Sequence, residues 1–64
     1  MNRLNFEVRP AGLGQWDVWQ YSETWTDPVF RQDLSPEKGC EWTMMKLYRL
    51  YPGCRVRVNR PEIP

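Results

Sequence analysis

Residues 35–58, SPEKGCEWTMMKLYRLYPGCRVRV, decide the fold. Ser35 offers an N-cap oxygen, Pro36 suits a first helical position where its missing N–H needs no partner, and Glu37 complements the positive end of a helix dipole. The spacing predicts an amphipathic helix over Pro36–Tyr51, with Cys40, Met44, Leu47 and Tyr51 in one apolar stripe. Pro52-Gly53 stops it, and the alternation Cys54-Arg55-Val56-Arg57-Val58 predicts a strand straight after. On the opposite side of the helix, at about 100° per residue, fall Lys38, Trp42, Met45, Lys46 and Arg49, where polar groups alone would be ordinary.

Outward from this stretch, Leu4–Arg9 alternates strictly, with Leu4, Phe6 and Val8 on one face. Pro10-Ala11-Gly12-Leu13-Gly14 is expected to end that strand and form a hairpin, because proline lacks a ladder donor and glycine accepts positive φ. A second strand, Gln15–Tyr21, sets Trp16 and Val18 on one face and Asp17, Trp19 and Tyr21 on the other. Residues 22–28 are polar apart from Trp25 and read as a turn or an irregular edge. A short third strand, Val29–Asp33, is expected to point Phe30 and Leu34 inward. Three antiparallel strands followed by a crossover helix bring the last strand parallel to the first. The expected fold class is therefore α+β: a four-stranded, mostly antiparallel sheet (βββαβ, order 3-2-1-4) with one helix on one face. The expected core is Leu4, Phe6, Val8, Trp16, Val18, Phe30, Cys40, Met44, Leu47, Tyr51, Val56 and Val58.

The chain of 64 residues is read as a single small domain, ordered over about 4–58, with 59–64 a loose C-terminal tail. Four Trp, three Tyr and two Phe in a 41% hydrophobic composition exclude disorder throughout. The net charge of +1 lacks the basic excess usual in phosphate binders, but it is unevenly placed: residues 1–34 carry three Arg against five acids, and residues 35–64 six bases against three. Cys40 and Cys54 are not expected to pair. The helical run between them spans roughly 16 Å at about 1.5 Å per residue, whereas a disulfide needs Cα atoms within about 7 Å. Both are read as small core hydrophobes in a reducing, cytosolic compartment. No run is apolar enough for a membrane span or signal peptide, and Met1-Asn2-Arg3 leads directly into the first strand pattern.

The residues offer little for catalysis. There is no histidine, the commonest general base and metal ligand, the two cysteines are distant, and the scattered acids show no calcium-loop spacing, so no metal or cofactor is expected. Gly12-Leu13-Gly14 lacks the following Gly, Lys and Ser/Thr of a phosphate loop. Cys40 has no activating base in its motif and lies on the core stripe. The chain is read as no enzyme and as having no small-molecule substrate.

Two surface constellations remain. On the helix, Trp42, Met45 and Arg49 are residue types enriched at protein interfaces; alternatively Trp42 lies under the 22–28 loop or flat beneath Lys and Arg stems. On the open sheet face, Trp19 and Tyr21 neighbour Glu7, Arg9, Arg55 and Arg57. Such a face can stack unpaired bases, bind a protein, or brace itself through Arg–aromatic stacking and a Glu7–Arg pair across the strands. Candidate partner-binding residues are thus Trp42, Met45, Arg49, Trp19, Tyr21, Arg55 and Arg57. A homodimer through an edge strand is a further reading, since so short a chain buries little area alone.

In outline, a β-meander, a helix ending in Tyr51-Pro52-Gly53 and a closing strand, the chain resembles small proteins of bacteriophages and other mobile elements that inhibit host machinery, such as anti-CRISPR proteins. The resemblance lies in element order over Leu4–Arg60 and assigns no site residue. It implies a stoichiometric inhibitor docking on a larger protein or nucleoprotein complex in the host cytosol. The alternative expectation is a small single-stranded nucleic-acid binder using the aromatic and arginine sheet face.

Overall fold

Alternating apolar residues at both ends of the chain build one sheet, and the helical stripe between them covers it. The computed structural model describes residues 3–59. In chain order the elements are β1 (Asn5–Gly12), β2 (Gln15–Tyr21), β3 (Val29–Phe30), a 3₁₀ turn (Gln32–Leu34), β4 (Glu37–Lys38), α1 (Cys40–Leu50) and β5 (Arg55–Val58). The sheet runs β3-β2-β1-β5, with β1–β2 and β2–β3 antiparallel and β5 parallel to β1. This is the predicted α+β fold and path, the expected fourth strand being β5. The short β4 adds a fifth strand, pairing with the start of β2 while β3 pairs with its end. The expected tail, 59–64, falls outside the described residues apart from Asn59, whose N–H reaches the Val8 carbonyl at 2.9 Å.

β1 outlasts its predicted end at Arg9. Pro10 stays in register with Trp16 and the strand bulges before Gly12. Proline is tolerated there because β5 pairs with β1 only as far as Val8, so the ladder is one-sided at Pro10. Leu13 and Gly14 both take positive φ, 54° and 75°, the handedness that a two-residue hairpin loop needs to match strand twist.

The helix begins four residues later than Pro36. Its N-cap is Gly39, at φ 84° and ψ 135°, and Ser35 caps nothing in it. The Ser35 hydroxyl is committed elsewhere, accepting from the Val18 N–H at 2.6 Å and donating to the Arg31 carbonyl at 2.8 Å. The Ser35–Pro36 peptide is cis. Residues 37–38 extend along β2, and the Gly39 N–H meets the Gly14 carbonyl at 3.0 Å, so the chain is held extended until glycine turns it into α1. At the other end the Cys54 N–H closes on the Tyr51 carbonyl at 3.0 Å, with Pro52 and Gly53 (φ 86°) at the corners that a tight turn assigns to them.

Phe6, Val8, Val18, Leu34, Leu47 and Cys54 form the buried cluster, flanked by Leu4, Trp16, Cys40, Met44, Tyr51, Val56 and Val58. Phe30 does not join it. The third strand ends after two residues, and its register sets Phe30 directly opposite Trp19, so that both point to the open face. Phe30 is 42% exposed and its ring lies 5.3 Å from that of Trp19. Leu34 is buried as expected, reached through the 3₁₀ turn rather than along a strand. Both cysteines are free thiols, and burial raises the Cys54 pKa above its ordinary value. Among the described residues no helix is long and apolar enough to cross a membrane.

Candidate functional site

The open face of the sheet is organised around one carboxylate. Glu7 faces away from the helix on the central strand, yet it is only 6% exposed because long neighbours close over it. Its Oε1 accepts from Arg9 Nε at 2.6 Å and from the Tyr21 hydroxyl at 2.9 Å, and its Oε2 accepts from Arg57 Nε at 2.9 Å. Arg9 also donates to the Tyr21 hydroxyl oxygen at 2.6 Å. Burial alone would raise the Glu7 pKa, but these three donors outweigh it and hold the carboxyl below its ordinary value.

The guanidinium groups then cover rings. Arg9 lies 4.4 Å from the Trp19 centroid, and Arg57 lies 4.7 Å from Tyr21 and 4.4 Å from Trp25. Trp25 reaches this position because the 22–26 turn folds back on itself. The Ser22 and Thr26 backbones bond at 2.8 Å, Trp25 takes φ 61°, and the buried Asn5 amide holds the Ser22 carbonyl at 2.9 Å. The result is a ladder Phe30–Trp19–Arg9–Glu7/Tyr21–Arg57–Trp25 across the sheet. Of the residues read as partner-binding on this face, Tyr21 is 8% exposed, with its hydroxyl bonded to Glu7. Trp19 is half-buried, whereas Arg55 and Arg57 are exposed, Arg57 while bonded to Glu7. Trp25 and Phe30 are additions to this face. The lone aromatic in a polar turn was the signal for the first, and a two-residue strand register gave none for the second.

The helix presents the other face. With Thr43 and Leu47 buried on its inner side, Trp42, Met45 and Arg49 come together outward, at residues i, i+3 and i+7. Trp42 is 66% and Met45 54% exposed, so neither the 22–28 loop nor the Lys and Arg stems cover the indole. Tyr48 and Leu50, unread as surface residues from the pattern, are exposed beside them. A shallow groove of about 380 Å³ runs along Glu37, Trp42, Met45, Lys46, Arg49 and Leu50. One edge is neutralised by the Lys46–Glu37 pair at 3.2 Å. An apolar floor with a guanidinium beside it suits a docked apolar side chain flanked by an acid.

Chemistry is sparse elsewhere. Arg31 is held by Asp33 at 2.7 Å and by the Tyr51 hydroxyl at 3.1 Å, which ties the 3₁₀ turn to the end of α1 and raises the Arg31 pKa further above its ordinary value. Among the described residues no three His, Cys, Asp or Glu side chains gather as metal ligands. No family model matches the chain, and neither curated proteins nor solved structures give a match.

Proposed function

We propose that the chain is a non-enzymatic protein-binding module that docks through the outer face of α1. In its most concrete form it is a small phage-type inhibitor that sterically blocks a larger host complex, such as a CRISPR–Cas effector in the host cytosol. The observation that carries this reading is the exposure of Trp42 and Met45 together, beside Arg49, on a helix whose inner side is fully used by the core. Trp, Met and Arg are residue types enriched at interfaces, Trp and Arg especially at their energetic centres, and the indole supplies its contact area with only two side-chain torsions to order. The open sheet face supports the nucleic-acid alternative less well. Arg9 and Arg57 are already directed at Glu7, and they lie over the ring faces of Trp19 and Trp25 on which a base would stack.

The test is capture from a host lysate followed by mass spectrometry, with the unmodified protein, Trp42→Ala and Trp19→Ala. A specific prey kept by Trp19→Ala and lost by Trp42→Ala is the expected result, and it should persist in moderate salt, since apolar anchors are not screened. Loss with Trp19→Ala alone, or no specific prey for the unmodified chain, overturns the reading.

A further inference from the structure

The exposed side of α1 is also complementary to itself. About Met45 as centre, the sequence reads Glu41-Trp42, two residues, Met45, two residues, Tyr48-Arg49: acid and ring on one side, ring and base on the other. All five side chains are exposed. Glu41 and Arg49 lie four residues to either side of Met45, about 6 Å along the axis each way, and on opposite flanks of the line through it. Trp42 and Tyr48 lie three residues to either side and likewise on opposite flanks.

We infer that this face pairs with a second copy of the same chain, α1 against α1, antiparallel about a twofold axis at Met45. A twofold axis of this kind brings residue i of one helix level with residue 90 − i of the other, so Glu41 meets the level of Arg49 in the second copy, twice by symmetry. On one flank Trp42 adjoins that same Arg49, placing a guanidinium against an indole, and on the other Glu41 adjoins the Tyr48 hydroxyl. Met45 packs on Met45 across the axis, a flexible contact that adapts to the crossing angle. The alternative edge pairing through β5 places the arginine-bearing strands Arg55–Val58 of two copies side by side, with like charge facing like.

The seam is one helix long, about 16 Å at 1.5 Å per residue, short of the roughly 800 Å² per partner found in tight complexes, so the pair is weak and reversible. It stands independently of the host-complex reading but uses the same face, so the paired and partner-bound forms exclude each other.

Sedimentation equilibrium from about 10 μM to about 1 mM protein tests it, the range being where a small interface associates. The mass should rise from 7.7 kDa toward twice that value. Glu41→Arg alone sets base against base at both contacts, and Arg49→Glu alone sets acid against acid, so each variant should stay monomeric while keeping the helical circular dichroism of the parent. An equimolar mixture of the two variants restores both opposite pairs and should associate again. A parent chain that stays monomeric at the highest concentration, single variants that associate like the parent, or a mixture that stays monomeric overturns the proposal.

Discussion

Glu7 concentrates most of the electrostatics of the sheet. Replacing it by glutamine keeps the shape and one acceptor oxygen, but removes the charge and turns the other oxygen into an NH2 group facing a guanidinium or the Tyr21 hydroxyl. A hydrogen bond to a charged group contributes about 1.5–3 kcal/mol. Glu7→Gln is therefore expected to lower stability by about 2 kcal/mol in urea unfolding. The pH dependence has a fixed sign. Because the folded pKa of Glu7 is held below the ordinary value of 4.5, its contribution is fully present above that value and is lost as pH falls through the lower folded one. The parent should lose urea resistance below about pH 4.5, and Glu7→Gln should show a shallower loss there; equal slopes would remove Glu7 from its central place. Residues differ just as sharply in what they hold up. Phe6 is fully buried and Trp42 is mostly wet, so Phe6→Ala should cost about 3 kcal/mol or more and Trp42→Ala less than about 0.5 kcal/mol. Matching losses in the two variants would mean that the indole is a packing residue.

At the scale of elements, the strands and helix were legible wherever period and burial agreed. Leu4–Arg9, Gln15–Tyr21 and Arg55–Val58 each alternate against a one-sided core, and the Cys40–Met44–Leu47–Tyr51 stripe fixes the helix face that meets it. The start of α1 was misread because Ser35-Pro36-Glu37 has the chemistry of a helix N-terminus, and the long-range bonds of Ser35 to Val18 and of Gly39 to Gly14 outweigh a local cap. Phe30 was misplaced for a related reason. Two residues carry no readable period, and only pairing with Trp19 decides which way the ring turns. Gly39 marks the corrected boundary and can be tested there. At φ 84° and ψ 135° it occupies a region that side chains rarely adopt, although an added Cβ would meet the Trp42 ring only at an ordinary 3.8 Å. Gly39→Ala should therefore destabilise through backbone strain by about 1–3 kcal/mol, read as a lower urea midpoint with an unchanged slope. A neutral result would place the start of the helix nearer Pro36.

The whole molecule has two candidate faces, and the fold treats them differently. The sheet face spends Arg9 and Arg57 on Glu7, and Trp19, Tyr21 and Trp25 on those two arginines, a self-bracing visible in the sequence only as interleaved aromatic and basic residues. The arrangement depends on Trp25 arriving from a loop, and no periodicity announces that. The helix face was readable almost entirely from the wheel, since Trp42, Met45 and Arg49 fall opposite the core stripe, and the folded chain leaves them uncovered. The contrast between an internally engaged sheet face and a wet helix face is the claim on which both the docking surface and the self-pairing rest. The four tryptophans report it directly through their indole N–H signals in a ¹H–¹⁵N spectrum of dilute protein titrated with a soluble paramagnetic chelate. The Trp42 signal should broaden first, ahead of Trp16, Trp19 and Trp25; a Trp42 signal protected as well as the other three, or Trp19 and Trp25 bleached before it, would overturn that contrast.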